Sequence, residues 1–181
     1  MKMALSFAAL AVASLLSASH AAGFALSSPT VTDGATLPDI HVHGRCGHPG
    51  GNLSPELSWS GVPAGTQSFA VTLYDPDAPH EGGWWHWLVF DIPASARGLP
   101  QGAGNGSGLP LGAIESPTDF GNPGYGGACP PPGNAHHYVF TVYALRVAKL
   151  GLDASADHDT VNAAIVRNTL DKATLTATYE R

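Results

Sequence analysis

Residues 68–74 (SFAVTLY) alternate, with Phe69, Val71 and Leu73 on one side and Ala70, Thr72 and Tyr74 on the other. A period of two places alternate side chains on opposite faces of an extended chain, so a β-strand is predicted here. Residues 86–92 (HWLVFDI) are almost continuously apolar, the pattern of a strand buried on both faces. A third run, 137–145 (HYVFTVYAL), is rich in aromatic and β-branched residues and reads as another strand. Residues 57–59 and 175–179 predict shorter strands, with Pro63 and Pro93 as punctuation.

One helix is predicted. Asp157 or Asp159 caps it, and Val161, Ala164, Ile165 and Leu170 form an apolar stripe that carries it to residue 170, with Lys172 near its C-terminal end. Residues 98–134 hold 11 glycines and 7 prolines, a long stretch in which only 113–119 suggests a short strand. A connection of that length inside a compact domain is usually functional or flexible. No repeat or linker is visible. The fold class is therefore mainly β, one domain over residues 22–181, arranged as a sandwich or barrel with one or two short peripheral helices.

The first 21 residues read differently. Lys2, an apolar run over 4–16, and the small residues Ser19 and Ala21 flanking His20 match a secretory signal peptide cut after Ala21. The run is too short for a permanent membrane span, and no later stretch is long and apolar enough for an integral segment. An exported protein, periplasmic or secreted, is expected. Its two cysteines, Cys46 and Cys129, then point to a disulfide, with two buried thiols as the alternative. Such a crosslink would close a loop of roughly 80 residues and contribute about 4 kcal/mol. Fourteen acidic against eight basic residues give a net charge of −6, and no basic run survives, which argues against nucleic acid as a partner.

Two polar constellations stand beside rigid backbone. Asp75-Pro76-Asp77-Ala78-Pro79 leaves the first strand, and its two carboxylates, two residues apart, share a face of an extended chain. They suit a shared proton, a cation or an orienting contact to a histidine, and equally an Asx-turn. His86 opens the second strand among Trp84, Trp85 and Trp87, where desolvation favours its neutral form; a core histidine bonded to a carbonyl is the other reading. Gly126-Gly127-Ala128 is placed to expose successive N–H groups as an anion-binding concavity. His136 and Tyr138 share one strand face, with His137 on the other. His41-x-His43 with Cys46 and His48 has loose spacing for a metal site, and surface histidines are the simpler reading. No Gly-x-Ser-x-Gly elbow or hydrolase triad is present.

Together these residues resemble the phosphatidylethanolamine-binding protein family, also called Raf-kinase-inhibitor-like, and within it the exported bacterial branch. The resemblance covers about residues 24–181 and rests on residues 52–59 (NLSPELSW), 62–66 (VPAGT), Asp75-Pro76-Asp77-Ala78-Pro79, His86-Trp87 and Gly124-Tyr125-Gly126-Gly127. It implies a Greek-key β-sandwich with a small anion pocket. Asp75, His86, Gly126, Gly127, His136 and Tyr138 fall where the family's pocket residues fall, and Asp77, Pro79 and Trp87 would form its wall. The family's usual His-Arg-Tyr is His136-His137-Tyr138 here, so that arginine is missing. The branch resembles this chain in its cysteine positions, which implies a disulfide beside the pocket.

The function implied is a non-enzymatic binding protein for phosphate or phosphoethanolamine-type head groups, without cofactor or metal. It would act as an inhibitor or regulator of a protein partner such as a protease or host factor, with the 98–123 segment or the pocket mouth as the contact. The alternative is a hydrolase using His86 with Asp75 as acid and base. Asp75 beside a bound phosphate poses a like-charge problem. It is expected to be turned onto His86 or His136, or to face the ammonium of a zwitterionic ligand.

Overall fold

The computed structural model describes residues 23–46, 51–106 and 108–181; the expected signal peptide and His48 lie outside these ranges. Five antiparallel strands form the larger sheet: β3 (Ser68–Asp75), β4 (Trp84–Pro93), β6 (Ile114–Glu115), β7 (His136–Leu145) and β8 (Thr169–Tyr179), in the order β6-β4-β3-β7-β8. Strands β1 (Ala25–Ser27), β2 (Leu57–Ser60) and β5 (Gly98–Leu99) make a second sheet of three, ordered β1-β2-β5. The chain runs through β3, β4 and β6 as neighbours and then returns with β7 beside β3, which is a Greek-key connection.

The larger sheet is buried on both faces, which explains the continuous apolar run of β4. One face meets the smaller sheet: Leu57 and Trp59 pack with Phe69, Val71, Leu73, Trp87, Phe140 and Val142. The Trp59 and Phe69 ring centroids are 5.2 Å apart. The opposite face carries Ala70, Leu88, Phe90 and Leu145, covered by Val161 and Ile165 of the one α-helix among the described residues, α1 (His158–Asn168). Of the two caps expected, Asp157 serves, accepting from the Thr160 N–H at 2.8 Å.

β4 begins at Trp84, two residues before the His86 start expected, and the larger departures from the sequence reading lie at the helix end and at β8. The helix stops at Asn168, and Leu170 lies in β8, which runs for 11 residues where five were expected. Thr169 makes the break: its hydroxyl donates to the Ile165 carbonyl at 2.7 Å while its backbone turns extended. Asp171 and Lys172 mask the alternation at the start of β8, and pairing with β7 from His136 to Leu145 imposes the strand. Over 113–119 only Ile114–Glu115 pairs as a strand.

Candidate functional site

Asp75 closes β3 and begins an Asx-turn. Its Oδ1 accepts the Asp77 N–H at 2.9 Å, and its Oδ2 lies 2.8 Å from Nδ1 of His136 at the start of β7. Both side chains are buried, 3% and 9% exposed for Asp75 and His136. The turn and the orienting contact therefore coexist on one carboxylate. His136 and Tyr138 share a face of β7, and Asp75 reaches His136 across the β3–β7 pairing.

His86 enters the site through an irregularity in its strand. Leu73 pairs with Trp87 and the next residue, Tyr74, pairs with Trp85, so β4 carries one extra residue, His86. A bulge of this kind re-aims a side chain, and here it lets His86 and Trp87 occupy the same face of the sheet. Nδ1 of His86 donates to the Gly126 carbonyl at 2.8 Å, and the Gly126 N–H donates back to the His86 carbonyl at 2.8 Å. Burial pushes the imidazole down to about 4, against a smaller raising effect of that carbonyl and of Asp75. At neutral pH the ring is uncharged, with its donor committed and Nε2 left as an acceptor.

Asp75, His86, His136 and Tyr138 share a cavity of about 240 Å³. Its walls are apolar: Ala78, Pro79, Trp84, Phe120, Pro130 and Pro131. The Tyr138 side chain is sealed from solvent, and no group stands in hydrogen-bonding geometry to its hydroxyl, whose nearest polar neighbours are the Asp75 carboxylate and the Cys129 backbone. Burial, then the Asp75 charge, pushes its pKa up, so it stays a neutral donor. A buried hydroxyl without a partner costs stability unless something else meets it.

Several expected residues sit elsewhere. Asp77 does not line the cavity; its Oδ2 accepts both the N–H and the Nδ1–H of His137 at 2.7 Å, outside it. Those two bonds hold its carboxyl below the usual range. Trp87 lies deeper, fully buried against Tyr125 and donating its indole N–H to Glu115 at 2.7 Å, so it supports the cavity without walling it. The anion-binding concavity expected at Gly126-Gly127 does not form, because both N–H groups point inward, that of Gly127 to Asn52 Oδ1 at 2.7 Å. These glycines serve close packing instead: a Cβ on Gly126 would overlap the Phe120 ring, and one on Gly127 the backbone at His41. The acid–base pair of His86 with Asp75 is likewise not a hydrogen-bonded pair, since each is bonded to another group.

Sequence reasoning missed His43, Arg45, Phe120 and Trp84 as lining residues. The Cys46–Cys129 disulfide, Cα atoms 5.6 Å apart, lays the 43–46 segment beside Cys129 and Pro130 at the cavity. The expected disulfide was itself the available signal, since anything within three residues of Cys46 had to accompany it. Arg45 brings a cation there. His41 is structural, its ring nitrogens engaged by the Leu53 carbonyl and the Thr30 hydroxyl. Among the described residues no group of three or more His, Cys, Asp or Glu is arranged to hold a metal ion. No helix among them is long and apolar enough to cross a membrane.

Comparison with known proteins gives a consistent result. The family model described as phosphatidylethanolamine-binding protein matches residues 27–180. YbcL of Escherichia coli (strain K12) is 47% identical over 164 residues, spanning 89% of this chain and 90% of its own. YbhB of the same organism is 46% identical over 155 residues, spanning 85% of this chain and 98% of its own. The crystal structure of E. coli YbcL, described as a new member of the mammalian PEBP family, superposes with a TM-score of 0.85, covering 88% of this chain and 99% of that one. A homologue from Chlamydia trachomatis superposes at 0.74 with 27% identity, covering 88% of this chain and 98% of its own.

Proposed function

Because the chain belongs to the phosphatidylethanolamine-binding protein family, we propose that it is an exported, non-enzymatic receptor for phosphate or phosphorylated head groups. The observation that carries this reading is the Tyr138 hydroxyl, buried and unpartnered beside a cavity too small for more than a head group. A phosphate oxygen would accept from it. The neutral His86 asks for the complementary partner, a donor, which a protonated phosphate oxygen or a ligand ammonium supplies. Asp75 disfavours a second negative charge on the ligand. Its own charge is balanced by the N–H groups of Asp77 and His136, and Arg45 adds attraction at the cavity.

Export is supported by the disulfide, which persists in oxidising compartments. A protein partner, such as a protease or host factor, would meet the cavity mouth or the 98–123 segment, where Leu111 is 98% exposed. The hydrolase alternative has less behind it, because His86 and Asp75 are each bonded to another group and, among the described residues, no activated nucleophile adjoins them.

Calorimetric titration with inorganic phosphate and with phosphoethanolamine tests the proposal. Saturable binding is expected, weakened roughly tenfold or more in Tyr138→Phe, the worth of a hydrogen bond to a charged group. Absence of binding, or an unchanged affinity in that variant, defeats it. Turnover of phosphoesters lost in His86→Ala would favour the enzyme instead.

A further inference from the structure

Beside the head-group cavity lies a second, open one of about 170 Å³, lined by Thr118, Asn122, Pro123, Gly124, Tyr125 and Gly126, with Asn122 and Pro123 at the surface. The two share only His43 and Phe120 as lining residues. Those rings stack, with centroids 5.2 Å apart and planes 16° from parallel, so a single aromatic pair divides one hollow into two. The Phe120 ring also meets Trp84 and His86 edge-on at 5.5 and 5.3 Å. Its bed is the bare Cα of Gly126, where a side chain would overlap it.

The backbone beneath this partition is anchored independently of the ring. Asp119 accepts the Trp85 N–H at 2.6 Å and reaches His158 of α1 at 3.1 Å, and Thr118 closes the turn onto the Asn122 carbonyl. The hydrogen bonds of this turn therefore do not depend on where the Phe120 ring sits. The second cavity carries no permanently charged residue. Its one titratable imidazole, His43, is held below its ordinary pKa by burial and by Arg45. It suits an uncharged group.

We propose that the Phe120–His43 pair is a movable partition, and that the second cavity takes a short uncharged arm of a phosphodiester whose phosphate occupies the first. This rests on the head-group reading above and refines it. A diester bears a single negative charge, which suits a cavity floored by Asp75, and it has two substituents to place. The cavity mouth accommodates one of them and the space beyond Phe120 the other.

Phosphoethanolamine and its glycerol diester are titrated separately into the isotope-labelled full chain, with backbone amides followed by NMR. The diester is expected to shift Asn122 and Gly124 while the monoester leaves them in place. In Phe120→Ala the ratio of diester to monoester affinity should rise roughly tenfold, about what burying two methylene groups is worth once the partition no longer has to move. Silence of Asn122 and Gly124 toward a diester that binds overturns the inference, as does an unchanged or lower ratio in Phe120→Ala; the head-group reading survives either result. If neither compound binds, the head-group reading fails and this inference with it.

Discussion

Nδ1 of His136 lies 2.8 Å from Oδ2 of Asp75, joining the end of β3 to the start of β7 across 61 residues of chain. The contact is buried and holds one imidazole in one orientation and tautomer. Asp75→Ala leaves two donors, the His136 ring and the Asp77 N–H, without their acceptor. A loss of roughly 2–3 kcal/mol in urea unfolding is expected. In calorimetry the same variant separates two ligand poses: if a ligand ammonium faces Asp75, phosphoethanolamine weakens more than inorganic phosphate.

Tyr138→Phe should move stability and binding in opposite directions. The hydroxyl has no partner in hydrogen-bonding geometry, only the Asp75 carboxylate and Cys129 backbone nearby, so removing it relieves a desolvated group and leaves the ring packing intact. Unfolding free energy should hold or rise by about 1 kcal/mol, while anion affinity falls. A variant that is clearly less stable would mean the hydroxyl is bonded in solution.

His86 makes the fold acid-sensitive in a definite window. Its pKa is about 4 in the folded chain against 6.5 for an ordinary histidine. As pH falls from about 6.5 to 4 the unfolded chain takes up a proton that the folded one refuses, so stability declines across that range and the loss levels off below it. The shift corresponds to roughly 3 kcal/mol. Urea midpoints at pH 7, 5 and 4 measure the slope, and His86→Asn should flatten it. A profile as steep in the variant as in the parent would assign the sensitivity to other groups.

Neighbouring glycines should fail differently. Alanine at Gly127 meets backbone at His41 and His43, which has nowhere to go, so Gly127→Ala is expected to cost more than about 3 kcal/mol. Alanine at Gly126 meets the Phe120 ring, a side chain that rotates away. Gly126→Ala should therefore fold, with a cost of about 1–2 kcal/mol, and change ligand affinity as the ring is displaced. Thermal melts and titrations of the two variants distinguish these outcomes.

Reduction of the Cys46–Cys129 bond should cost about 4 kcal/mol, the chain entropy released by opening a loop of 83 residues. Ligand affinity should fall as well, because the disulfide holds the segment carrying His43 and Arg45 to the cavity. Unfolding with and without a dithiol reports the first effect and calorimetry the second. Equal affinity in both states would show that the His43 N–H to Ala128 carbonyl bond at 2.9 Å holds the rim unaided.

The strands were legible where one residue type dominated a face. β3 announces itself in Phe69, Val71 and Leu73, and β4 in an apolar run that a sheet covered on both sides requires. β8 was half hidden, because the polar Asp171 and Lys172 interrupt its pattern and only pairing with β7 holds them in line. At the candidate site, Asp75, His86, His136 and Tyr138 could be named from their motifs and do meet in one cavity. Asp77 and Trp87 shared those motifs yet lie outside it, since a motif records neighbours in the chain and not the direction of a side chain.

By itself the sequence determined the β-rich class, a helix cap at Asp157 or Asp159, and which polar groups stand next to rigid backbone. These follow from side-chain periodicity and local hydrogen bonding, which act within a few residues. The tertiary structure alone decided that His86 bulges toward Tyr138, that Gly126 and Gly127 turn their N–H groups inward, and that Phe120 stacks on His43. Each of those depends on groups from different strands or loops, most of them at least 40 residues apart along the chain, and only close packing of the folded sheets sets where they meet.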